Sequence, residues 1–192
     1  MPGVSSRTTA TNTITCRGER FRLYLSQDEI QGRVKALGQQ IAEDYKDEKP
    51  ILIGVLNGAF MFLADLMRAI PIDCEVDFWK LSSYGDRKVS SGEVEELKKV
   101  DADLKGRHVI LVEDIVDTGL SMQYMLDVLA EVEPTSVRVA TLLHKHEATE
   151  HDVRLDYVGF RIPNLFVIGY GLDYGQLARN LPAIYLLDEE DA

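Results

Sequence analysis

Only two cysteines, Cys16 and Cys74, occur in the 192 residues. Two thiols make no disulfide framework, and neither stands at a metal-ligand spacing, so both are expected as free thiols of a reducing compartment. Positive charge is scarce as well: 21 Lys and Arg face 32 Asp and Glu, a formal net charge of −11. The chain as a whole therefore repels nucleic acid, and no nucleic-acid partner is expected. No apolar run suits a bilayer. The most apolar segment, residues 51–72, is interrupted by Asn57, Asp65 and Arg68, which a hydrocarbon core penalises heavily. It reads as a buried strand followed by a buried helix, with no membrane partner. The Ser/Thr-rich start, residues 1–16, lacks the apolar stretch of a secretory leader, so a cytoplasmic location is expected. Internal repeats and low-complexity linkers are absent.

What remains is a globular composition, with 45% hydrophobic residues. The length allows one domain with a full core. Residues 1–18 are expected as a loose tail and 19–192 as a single domain, ending in a solvated acidic stretch at 189–191. A helix is expected from Ser26, where Ser26 and Glu29 form a capping box and Leu25 and Ile30 a hydrophobic staple. Ile30, Val34, Leu37, Ile41 and Tyr45 share its buried face. Strands are expected at 51–56, 76–81, 108–112, 136–143, 157–162, 165–170 and 184–187, and helices at 60–70 and 121–132. Alternating strands and helices imply an α/β fold, a mainly parallel sheet flanked by helices. Ligands of such sheets bind at the carboxyl ends of the strands. Segment 82–96 is polar and long for a structureless connection, as lids and disordered loops are.

The most informative run is Glu113-Asp114-Ile115-Val116-Asp117-Thr118-Gly119-Leu120-Ser121, which follows the apolar strand 108–112. Gly119 permits a tight turn. Successive backbone N–H groups at a helix start make a nest for a phosphate, and the Thr118 and Ser121 hydroxyls can add to it. Carboxylates repel a phosphate, so Glu113 and Asp114 must serve something else. Sugar hydroxyls are one candidate and a magnesium ion the other. The run suits a sugar 5-phosphate, with anion on amides and hydroxyls on acids. The bland alternative is a solvated turn, with Asp117 or Thr118 capping the helix.

The run resembles the phosphoribosyl-pyrophosphate (PRPP) motif of type I phosphoribosyltransferases, and its wording resembles the hypoxanthine/guanine branch. Further blocks resemble the same family in the same order: Val-Leu-Asn-Gly at 55–58, Ser-Ser-Tyr at 82–84, Leu-Leu-His-Lys at 142–145 and Phe-Val-Ile-Gly-Tyr-Gly-Leu-Asp-Tyr at 166–174. The resemblance implies the family fold, with a small hood and a flexible lid loop, and phosphoribosyl transfer to a 6-oxopurine as the activity. It implies Mg2+ as cofactor and an assembly of two or four copies.

The same resemblance implies a role for each matching residue. Asp117 exchanges a proton with N7 of the purine, its pKa tuned by the acids at 113 and 114. Glu113, Asp114, Asp117, Thr118, Gly119, Leu120 and Ser121 hold the ribose phosphate. Lys145, Phe166 and Val167 bind the base; an ammonium is only a donor, so it accepts a 6-oxo group and rejects a 6-amino group. Leu56, Asn57, Gly58 and Arg179 take the pyrophosphate, with a cis peptide in that loop, and Asn57 stands where some relatives carry a cation. Ser83 and Tyr84 belong to the lid, with Lys80 nearby. Asp173, with Glu113 and Asp114, holds the metal. Taken alone, Lys145 and Arg179 read as solvated cations, Phe166 as core and Asp173 as a turn residue. The pair His144 and His146 lacks a third metal ligand in the sequence. Two competing functions are a PRPP-responsive nucleic-acid regulator and another magnesium phosphotransferase. The first fits poorly with the charge, and the second leaves the blocks at 142–145 and 166–174 without a purpose.

Overall fold

The computed structural model describes residues 12–82 and 95–188. In chain order its elements are β1 (Thr13–Cys16), β2 (Glu19–Leu25), α1 (Gln27–Asp44), β3 (Ile51–Leu56), α2 (Phe60–Ala69), β4 (Glu75–Ser82), β5 (Glu95–Lys98), β6 (His108–Val116), α3 (Leu120–Glu131), β7 (Ser136–Lys145), β8 (Tyr157–Ile162), β9 (Val167–Ile168) and β10 (Ile184–Leu187).

These strands form two sheets. The larger has the order β5-β4-β3-β6-β7-β8. Its neighbours from β4 to β8 pair in parallel, and β5 joins the edge antiparallel. The smaller is antiparallel, with the order β1-β2-β10-β9. A mainly parallel sheet with helices and a small hood is the architecture expected from the sequence. Strand β3 and residues Val109–Val112 of β6 are unbroken apolar runs, buried almost throughout because both faces are covered. Ile51, Ile53, Val109 and Leu111 pack into one core with Met122, Met125 and Leu129 of α3. Leu52, Ile110 and Val112 pack into another with α1 and α2. Helix α1 starts as its sequence dictates: Glu29 N donates to Ser26 Oγ at 3.3 Å and Ser26 N donates to the Glu29 carboxylate at 2.9 Å. Its Ile30, Val34, Leu37 and Ile41 are buried. Among the described residues no helix is long and apolar enough to cross a membrane.

Four expectations need correction. The loose tail was drawn too long, since Thr13–Cys16 form β1 and hydrogen-bond to β2. Strand β2 itself was missed, although Arg20, Phe21 and Arg22 alternate exposed, buried and exposed, the pattern of a half-buried strand. The strand expected to stop at Val112 runs on to Val116, so Glu113 and Asp114 belong to the strand and not to the turn. The strand expected at 165–170 is only Val167–Ile168, because Gly169, Tyr170 and Gly171 all take positive φ and bend the chain away. Ser83 and Tyr84, and most of the expected lid, lie outside the described residues. The segment's end is a strand: Glu95 of β5 pairs with Ser82 of β4.

Candidate functional site

Strands β6 and β7 end side by side, with Val116 paired to His144. The next residue along each chain is charged, Asp117 just beyond β6 and Lys145 at the end of β7. Lys145 Nζ and Asp117 Oδ2 are 2.9 Å apart. The Lys145 side chain is only 12% exposed, against 47% for Asp117. Asp117 is therefore not a helix cap, and the charge that touches it is a cation. Thr149 ties the pair together: its hydroxyl, with one proton to share, lies 3.1 Å from the Lys145 carbonyl and 3.4 Å from the Asp117 carbonyl.

The turn that follows is built by backbone. Gly119 precedes α3 with φ 87°, a conformation natural to glycine. A side chain there would also come within 2.9 Å of the His151 carbonyl. Thr118 O accepts from Glu150 N and His151 N, both at 3.0 Å, so the turn is held from behind. Thr118 Oγ1 accepts a long bond, 3.4 Å, from Leu120 N. A hollow of about 210 Å³ opens here, lined by Glu113, Asp117, Thr118, Gly119, Leu120 and Ser121 among others. The N–H groups of a helix's first turn lack intrahelical acceptors, and α3 begins at this hollow.

Glu113 and Asp114 fold back onto their own strand. Glu113 accepts from Asp114 N at 3.3 Å, and Asp114 from Ile115 N at 3.0 Å. Burial, followed by the charge of Asp114, pushes the Glu113 carboxyl well above its ordinary value. Burial also pushes Asp114 up, against the opposing pull of its hydrogen bonds and of the Arg179 charge.

Asp114 faces the third part of the site. It lies so close to Gly58 that any side chain at 58 would overlap its carboxylate. Gly58 follows the Leu56-Asn57 peptide bond, which is cis. Gly171 in turn abuts the carbonyl of Gly58. Arg179 Nη1 donates to the Gly171 carbonyl at 2.8 Å, and its Nη2 pairs with Asp173 Oδ1 at 2.6 Å. Asp173 Oδ2 accepts from Gln176 N at 2.7 Å. The fold thus gathers Asn57, Gly58, Asp114, Asp173 and Arg179 from three separate stretches of chain.

The hood supplies an aromatic platform. Phe166 is 45% exposed, whereas the neighbouring Val167 is buried. Phe166 stands edge-on to Tyr174 at 5.5 Å and tilted against Phe21 at 6.2 Å. The Arg17 guanidinium lies 5.1 Å from the Tyr174 ring centre. An aromatic side chain that is exposed yet braced on its flanks is not core, so the core reading of Phe166 is set aside. Arg17, Phe21 and Thr149 were missed from the sequence. Arg17 fell in the supposed tail, Phe21 carried only its alternation, and Thr149 carried no signal.

His144 and His146 lie 6.5 Å apart ring to ring, each with other partners. His144 meets Thr149 and Arg161, and His146 meets the Ile162 carbonyl. Among the described residues no three His, Cys, Asp or Glu side chains gather into a metal cage. The oxygen-only donors present still fit magnesium, which often takes one or two carboxylates and completes its shell with water and substrate phosphates.

Residues 24–175 match the family model of the phosphoribosyl transferase domain. The chain is 43% identical over 166 residues to the hypoxanthine-guanine phosphoribosyltransferase of Bacillus subtilis (strain 168), covering 86% of this chain and 92% of that one. It is 42% identical over 174 residues to the Aquifex aeolicus (strain VF5) protein of the same description, covering 90% and 98%. A hypoxanthine phosphoribosyltransferase crystal structure from Staphylococcus aureus superposes with a TM-score of 0.84 at 36% identity, covering 88% of this chain and 92% of that chain.

Proposed function

Because the chain belongs to the phosphoribosyl transferase family, we infer that it transfers the 5-phosphoribosyl group of PRPP to a 6-oxopurine, giving a nucleoside 5′-monophosphate and pyrophosphate. It is a pentosyltransferase of purine salvage. Hypoxanthine is the acceptor we assign first, with guanine and xanthine as further acceptors.

The observation that carries the residue roles is the Asp117–Lys145 pair, whose Asp117 lines the hollow. A 6-oxopurine presents N7 and O6 on one edge, so two side chains this close can serve both atoms of one base. Lys145 donates to O6. Asp117 takes the N7 proton as N9 attacks C1 of the ribose and the bond from C1 to pyrophosphate breaks. In the reverse direction Asp117 returns that proton. Adenine places a donor at position 6 and faces a donor-only lysine. Phe166 stacks on the ring and the Val167 backbone reads its edge. The amides and hydroxyls of 118–121 hold the 5′-phosphate, with Glu113 and Asp114 toward the sugar.

Asn57, Gly58 and Arg179 take the pyrophosphate. Magnesium, when bound, would neutralise pyrophosphate oxygens and steady the leaving group, held by Asp173 with Glu113 and Asp114. Lys145 and Arg179 are each paired with a carboxylate. They cannot alone reverse the sign of a chain of net charge −11, so the backbone amides and the metal must supply the remainder. Free Cys16 and Cys74 suit the cytoplasm, and we assign the active form to two or four copies.

An assay with PRPP, magnesium and each of four radiolabelled purines tests the reading. Hypoxanthine should be converted and adenine should not. Turnover should stop on chelation and return with magnesium. Conversion of adenine at the same rate as hypoxanthine would remove Lys145 from base selection.

A further inference from the structure

Tyr170 is an unusual residue in this half of the molecule. It is 1% exposed, and its backbone sits at φ 50° between two glycines that are also at positive φ. A non-glycine residue there needs something to hold it. Its hydroxyl donates to Asp65 Oδ2 at 2.6 Å, across from α2. Gln31 Nε2 donates to the same oxygen at 2.6 Å, and Arg68 pairs with the other oxygen of Asp65. Burial acts to raise the Asp65 pKa, but hydrogen bonds from Tyr170, Gln31 and Arg68 outweigh it and hold it low. Burial, then the bond to Asp65, raises Tyr170, so its hydroxyl stays a neutral donor. The backbone on either side leads into the site. Tyr170 N donates to Leu181 O, and Gly171 N to Arg179 O, both at 2.9 Å. Gly171 rests on Gly58, and Asp173 lies two residues on. Helix α2, which carries Asp65, begins directly after the 56–58 loop.

We propose that Asp65 and Tyr170 are positioning residues for pyrophosphate binding. They anchor the turn that carries Gly171, Asp173 and Arg179 to the helix that carries the 56–58 loop. Both halves of the pyrophosphate cluster then hold one register. The proposal rests on the assignment of that cluster given above.

Tyr170→Phe removes one oxygen and tests it. Small displacements of binding groups are costly, so the KM for PRPP should rise about tenfold, while the KM for the base stays within about twofold. Inhibition by added pyrophosphate should weaken alongside. Asp65→Ala should show the same split, and the double variant should be no worse than either single one, as expected for partners in one bond. Asp65→Asn keeps an acceptor for the tyrosine and should restore most of the PRPP affinity; if Tyr170→Phe fails to fold, the contrast between Asp65→Asn and Asp65→Ala carries the same readout. An unchanged PRPP KM, or equal rises in both KM values, would overturn the positioning role. Arg179→Ala, run in parallel, separates the two levels. If it also leaves the PRPP KM unchanged, the pyrophosphate assignment itself is wrong. If it raises that KM and Tyr170→Phe does not, only the positioning role is lost.

Discussion

The two sheets contribute differently to the candidate site. The six-stranded sheet is buried on both faces, so polar chemistry is confined to its strand ends. There β6 carries Glu113 and Asp114, with Asp117 just beyond its end, and β7 carries Lys145, the two strands held in register by a parallel ladder. The four-stranded hood is antiparallel and joins β1 and β2 to β9 and β10. It contributes an aromatic surface of Phe166, braced by Phe21 and Tyr174, and the bent run Gly169-Tyr170-Gly171. On the proposed assignment, the acid–base pair comes from the large sheet and stacking on the flat base from the hood. Substitutions in the first should therefore lower kcat, and substitutions in the second should raise KM.

The largest effect should come from Asp117→Ala. Loss of a general acid–base group costs about 10²–10⁴-fold in rate, so kcat should fall within that range. The variant also leaves Lys145, 12% exposed, without its ion-pair partner, so Tm should fall as well. Lys145→Ala comes next. A charge-assisted hydrogen bond is worth about 1.5–3 kcal/mol, or about 10–150-fold, and the preference for hypoxanthine over adenine should shrink by that factor in competition assays. Phe166→Ala should raise the KM for the base about tenfold, the value of one stacked base, with kcat and the KM for PRPP little changed. A kcat loss from Phe166→Ala as large as that from Asp117→Ala would break the division between the sheets.

The smallest effect concerns stability. Burial, then the Asp114 charge, raises the Glu113 carboxyl. A raised acid leaves the fold unpenalised below the ordinary carboxylate range and costs stability as pH climbs through its higher folded value. Glu113→Gln cannot ionise. It should raise Tm by about 2–4 °C at pH 8 and by nearly nothing at pH 4, as read by a thermal melt. A gain at pH 4 as large as that at pH 8 would refute the burial argument.

Most of the large sheet was legible because residues 51–56 and 109–112 are unbroken apolar runs and 76–81 alternate, and α1 because it has both a capping box and a single buried face; β5, the short Glu95–Lys98 edge, was not. The bounds of β6 were not legible. Two acids after Val112 look like a turn, and only the ladder to Thr141 and Leu143 shows that the strand continues. The hood was harder still. Its β9 has two residues and its β1 four, too few for a periodic signal. The residues of the turn 113–121 were named from local sequence, and Lys145 from a separate block. Their contact depends on a β6–β7 register that no local pattern carries. Arg17 and Thr149 act through contacts made only on folding, so composition and spacing gave no sign of them.

The most direct test is a crystal structure with hypoxanthine's nucleoside 5′-monophosphate bound. The 5′-phosphate should lie on the amides of 118–121, the base O6 on Lys145 Nζ, and Phe166 against the ring. A nucleotide bound elsewhere, with the 117–121 turn empty and the Asp117–Lys145 pair undisturbed, would contradict the account.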